Sequence, residues 1–170
     1  MVAHIPVFVS SPTDLSPEQQ TTFDYILALL EEEGLEHRSL GKSDFATDYP
    51  LKEIMLIARH CSGGLILGFN QISAKEVTYK PDTPKSRPAQ DARMPTPWNN
   101  LEAGMLFALH LELMVLREDG VGGGIFDDGV SDAYVHPLPI GAALEPRKEQ
   151  IKSAIRIWSS RVRDHYRRWP

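Results

Sequence analysis

The chain has 170 residues, 42% apolar and 24% charged, with a net charge of −5 and one cysteine, Cys61. That suits a single globular domain with a real core, with no disulfide inside the chain and no apolar run near the ~18 residues of a membrane-crossing helix, and it fits a reducing, cytoplasmic setting. From Arg147 onward eight Lys/Arg stand against two Asp/Glu, leaving ten basic and 21 acidic residues on the body, a balance that argues against a nucleic-acid binder with a basic face.

The opening Met1-Val2-Ala3-His4 lacks the basic region of a signal peptide, and Ile5-Pro6-Val7-Phe8-Val9 reads as a buried strand stopped by Ser10-Ser11-Pro12. Ser16 before Pro17, with Gln19 three residues on, predicts a helix start, and Gly34 predicts its end. Leu35–Leu40 has the mixed polarity of an edge strand, and 41–49 is a polar loop. Pro50 opens a second helix with Leu51, Ile54, Met55, Ile57 and Ala58 on its apolar side. Gly63–Phe69 is apolar on both faces, as a central parallel strand should be. Residues 70–97 are polar and carry five prolines; a segment this long predicts a lid or disorder.

Thr96-Pro97-Trp98-Asn99-Asn100-Leu101-Glu102 then opens a helix that is apolar almost all round to Leu109, a pattern expected of a buried helix. Leu113–Arg117 predicts a fourth strand, and Tyr134–Leu138 a short fifth one at the edge. A tail helix from Glu145 places Ile151, Ile155, Trp158, Val162, Tyr166 and Trp169 at spacings of three or four, with packing on the acidic body as the default. Alternating strands and helices predict an α/β fold, a three-layer flavodoxin-like parallel sheet of about five strands in the order 2-1-3-4-5 with helices on both faces. In such sheets ligands lie beyond the carboxyl ends of the strands, where Ser10-Ser11, the loop through Asp44 and the start of the Glu102 helix all converge.

Glu102 is the acid that needs explaining. No basic residue lies within a turn or two of it, and an unpaired charge in an apolar setting is costly. It sits past the first helical turn, so the helix dipole accounts for it poorly. A carboxylate among hydroxyls and a tryptophan suits glycosidic chemistry, where it stabilises or attacks an oxocarbenium-like centre. Trp98, one turn earlier on the same face, is either a core aromatic or a wall for a flat base or sugar. Ser10 and Ser11 are placed to hydrogen-bond a ligand, whereas Asp14 reads as a turn or capping residue. Asp44 and Asp48 are either ligand contacts or solvated loop acids. No nucleophile elbow, phosphate-binding glycine loop or metal-ligand spacing of the six histidines is present, so no metal is expected.

Val7-Phe8-Val9-Ser10-Ser11, the Asp44 loop and Thr96–Glu102 together resemble a TIR domain. In that family a Ser-x-Trp-Cys-x-x-Glu segment carries a glutamate essential to NAD cleavage. Trp98 and Glu102 match its tryptophan and glutamate, Thr96 stands at the serine, and Asn99 replaces the cysteine. Glu102-Ala103-Gly104 followed by an apolar helix and strand is also similar to nucleoside 2-deoxyribosyltransferases, without their Asp-x-Gly-Thr part. The resemblance implies residues 1–145 as a TIR-like nucleotide-binding domain carrying residues 146–170 as a packed basic amphipathic helix. It implies Glu102 as the catalytic residue, with Phe8, Ser10, Ser11, Asp44, Trp98 and Asn99 binding substrate. It further implies NAD as substrate rather than cofactor, a homo-oligomer and a part in defence or stress signalling, while charge and composition point to no nucleic acid or membrane partner. Deoxyribosyl transfer, nucleoside hydrolysis and a non-catalytic nucleotide sensor or adaptor are the alternatives.

Overall fold

A computed structural model of the chain describes residues 4–40 and 49–168. Strands β1 (Ile5–Ser10), β2 (Leu35–Arg38) and β3 (Gly63–Gly68) belong to a five-stranded sheet; β4 (Ile72–Tyr79) and β5 (Arg87–Met94) form a separate antiparallel ribbon. β6 (Glu112–Arg117) and β7 (Val135–Pro137) complete the main sheet in the order β2-β1-β3-β6-β7, with every neighbouring pair parallel. With the ribbon set aside, this is the doubly wound 2-1-3-4-5 order expected for the fold.

Among the described residues four α-helices cover the sheet: α1 (Pro17–Glu32), α2 (Pro50–Ala58), α3 (Pro97–Ala108) and α4 (Lys148–Arg168). The start of α1 is a full capping box, in which Gln19 N donates to Ser16 Oγ at 3.2 Å and Ser16 N donates to Gln19 Oε1 at 3.0 Å. Because strand side chains alternate, each sheet face builds its own core. Val7, Val9, Leu65, Leu67, Met114 and Leu116 pack against Phe23, Ile26 and Leu30 of α1 and Ile151, Ile155, Trp158 and Val162 of α4. Phe8, Ile66 and Val115 face the other way, toward Ile54 and Ala58 of α2 and Ala103 and Leu106 of α3. The central strand β3 is buried along its whole length. Its glycines set how near the layers lie: a Cβ at Gly63 would sit 2.6 Å from Val162 and 2.8 Å from the Trp158 ring, and one at Gly64 2.9 Å from Leu106.

Two expectations need correction. Most of the polar 70–97 segment is neither coil nor disordered: it forms the β4–β5 hairpin, standing off the body with most of its side chains exposed. Pro81 and Pro84 fall in its connection, and Pro88 lies in a ribbon of two edge strands, where a missing donor is tolerated. Gln71 N to Met94 O at 3.0 Å closes the hairpin, and Gln71 Nε2 to Asp14 O at 3.2 Å ties its base to the body. Helix α3 is likewise not buried all round. Ala103 and Leu106 are fully buried, but Leu101 is 44% and Phe107 51% exposed, because the sheet covers one side of the helix only.

Candidate active site

The first turn of α3 meets the ends of β1 and β3 through a chain of polar side chains. Thr96 caps the helix, its Oγ1 accepting from Asn99 N at 3.3 Å and donating to Asn99 Oδ1 at 3.0 Å. The amide end of Asn99 is thereby aimed away from the cap, and its Nδ2 donates to Ser10 Oγ at 2.9 Å and approaches Leu67 O at 3.5 Å. Both Ser10 and Asn99 are only 1% exposed. With the Ser10 oxygen accepting from Asn99, its hydroxyl proton is free to donate to the Glu102 carboxylate. The hydrogen bonds run one way from Thr96 through Asn99 to Ser10, whose hydroxyl is left to serve Glu102.

Glu102 is half-buried at the end of this relay. Burial pushes its pKa up to about 7, against the opposing effect of the Ser10 hydrogen bond. Among the described residues no cation pairs with it. A carboxyl group poised near neutrality can serve either as an ionised electrostatic partner or as a proton carrier. Since the ionised form is poorly solvated, it gains most from a positive charge developing beside it.

The other expected site residues sit differently. Trp98 is not a core aromatic: it is 47% exposed, one helical turn before Glu102. Phe8 is fully buried among Ile54, Ala58, Ile66 and Leu106 and presents no surface to a ligand; it supports the end of β1 from below. Ser11 is half-buried, and its hydroxyl turns to Pro12 O at 3.3 Å. Asp44 and Asp48 lie outside the described residues. Asn100, next to the relay, pins a neighbouring loop by accepting from Ile125 N at 2.9 Å.

A second buried acid escaped the sequence reading. Glu118, immediately beyond β6, is 6% exposed and accepts from Gln19 Nε2 at 2.8 Å and Asn70 N at 2.9 Å. Its position directly after a strand of this fold was the available signal. Glu118 also lines a cavity of about 760 Å³ beyond the ends of β6 and β7, a cavity that none of Ser10, Trp98, Asn99 or Glu102 touches. Among the described residues there is no group of three or more His, Cys, Asp or Glu able to hold a metal, and no helix is long and apolar enough to cross a membrane.

No family model matches the sequence, and no curated protein does. The structure is similar to that of the CMP N-glycosidase of Clostridium botulinum, at 14% identity and a TM-score of 0.51, over 89% of this chain and 98% of that one. The two chains share a fold. At that identity the likeness assigns no residue a role, and the site stands on its own geometry.

Proposed function

We propose that this protein cleaves the N-glycosidic bond of a nucleotide or nucleoside, with Glu102 as the catalytic residue. The observation that carries the reading is a carboxyl group pushed toward neutrality by burial, beside the buried Ser10–Asn99 pair and with no cation paired to it among the described residues. As the bond from C1′ to the base breaks, its electron pair leaves with the base and positive charge spreads over C1′ and the ring oxygen. The ionised Glu102 offsets that charge; water then adds to C1′ and gives up a proton to solvent. Exposed Trp98 offers its ring as a wall for the base or sugar. Ser10 and Asn99 are positioning residues: they orient the carboxylate.

NAD fits a single carboxylate well, because its pyridinium leaves as neutral nicotinamide and needs no proton donor. The fold likeness to a CMP N-glycosidase supports a nucleoside monophosphate as the second substrate to examine, and base exchange on a deoxynucleoside distinguishes transfer from hydrolysis. On this reading the protein uses no cofactor, and a role in defence or stress signalling, exercised as an oligomer, follows only if NAD is the substrate. The experiment is base release from NAD and from CMP by concentrated wild-type protein and by Glu102→Gln. Turnover that the substitution leaves intact would remove Glu102 from the mechanism.

A further inference from the structure

The cavity beyond β6 and β7 draws three guanidinium groups from distant parts of the chain: Arg93 from the hairpin base, Arg117 from the end of β6 and Arg147 from the turn before α4. Two of them are held in place by backbone carbonyls. Arg93 Nη1 donates to the Asp119 carbonyl at 3.2 Å, its stem lying over Gly120, where a Cβ would come within 3.1 Å of Arg93 Cδ. Arg117 Nη1 donates to the Phe126 carbonyl. A carbonyl orients a guanidinium but carries no countercharge, and each fork keeps further N–H donors. No ion pair involves Arg147 among the described residues.

The cavity also holds three carboxylates, Glu118, Asp119 and Asp128, and among the described residues none of them pairs with these guanidinium groups more closely than 3.8 Å. Glu118 is turned to the Gln19 amide and the Asn70 N–H. Asp128 is 78% exposed and 3.8 Å from Arg117, a distance and exposure at which an ion pair contributes little. Asp119 is exposed and gives Arg93 its carbonyl. Planar forks with spare donors around a cavity suit a tetrahedral oxyanion, which takes two N–H bonds from each.

We propose that this cavity is a phosphate site, in which Arg93, Arg117 and Arg147 bind the phosphoryl group of a ligand. The site shares no residue with the Glu102 relay. Its phosphoryl group belongs either to the substrate of that relay or to a separate phosphorylated effector.

Calorimetric titration of the full chain with inorganic phosphate at low ionic strength tests this. Wild-type protein is expected to bind, and the exposed charge reversals Arg93→Glu and Arg147→Glu to weaken binding by about tenfold or more, since a lost charge-assisted bond is replaced by repulsion. Glu102→Gln is expected to bind phosphate like wild type, so failure here is separable from failure of the glycosidase reading. Titrations with CMP and cytidine identify the source. A preference for CMP that Arg147→Glu abolishes assigns the phosphoryl group to the substrate; cytidine and phosphate binding together without competition assigns it to an effector. No phosphate binding by wild-type protein, or equal binding by well-folded charge reversals, overturns the proposal.

Discussion

The Ser10 hydroxyl opposes the burial that raises Glu102, so removing it sends the carboxyl further up. In Ser10→Ala the acid limb of the kcat/KM profile, expected near pH 7 for wild type, moves to higher pH, while a change confined to KM would show that Ser10 serves the substrate and not the carboxylate. The same burial has a consequence for stability. Glu102 binds its proton more tightly folded, at about 7, than its ordinary value of 4.5, so its contribution is fully present below pH 4.5 and is lost as pH rises through 7. Glu102→Gln, which cannot ionise, is therefore expected to gain on wild type as pH rises above 4.5, by up to about 3 kcal/mol at pH 8. Urea unfolding of both proteins at pH 4.5 and pH 8 measures the difference. The acid was conspicuous in the sequence as an unpaired charge in an apolar helix. That Asn99, in the cysteine position of the resembled motif, holds the relay together was not, because its partners Ser10 and Leu67 come from two other elements.

At the level of elements, the apolar run Gly63–Phe69 was readable as a central strand because both its faces are covered. The glycines in it are needed for that cover. Gly63→Ala directs a methyl group at Val162 and the Trp158 ring, neither of which is a flexible side-chain end, and is expected to destabilise the fold by about 1–3 kcal/mol; an unchanged thermal midpoint would mean that α4 shifts freely on the sheet. Helix α3 misled in the opposite sense. Its composition marks every side as apolar but cannot say which sides find a neighbour, and Trp98, Leu101 and Phe107 remain exposed. The hairpin was hidden for another reason: β5 carries a proline and both strands are largely polar and exposed, so the alternation that betrays a half-buried strand is missing.

Across the whole molecule, α4 closes one layer and is fastened to the end of α1. Arg163 Nη2 meets Glu33 Oε2 at 2.6 Å and also bonds its carbonyl, and Arg156 approaches the same carboxylate at 3.4 Å. Burial raises Glu33, but the hydrogen bonds and charges of Arg163 and Arg156 outweigh it and hold its pKa below the ordinary 4.5. A lowered carboxyl stabilises above pH 4.5 and loses that contribution as pH falls through its folded value. Glu33→Gln is thus expected to cost roughly 1 kcal/mol at pH 7 and nothing at low pH, read from urea midpoints at the two pH values. The doubly wound order was legible from the alternation of strands and helices alone. The arginine-lined cavity was not, since residues 93, 117 and 147 meet only after the sheet, the hairpin and the turn before α4 are in place.

The central claim is that Glu102 stabilises positive charge at C1′ during cleavage. Release of free base from NAD and from CMP, followed by chromatography with concentrated wild-type protein and Glu102→Gln, tests it most directly. Cleavage of at least one of the two, lowered about a hundredfold or more by the substitution, is the expected result. Cleavage by Glu102→Gln at the wild-type rate, or no cleavage of either by the concentrated wild-type protein, would contradict the account.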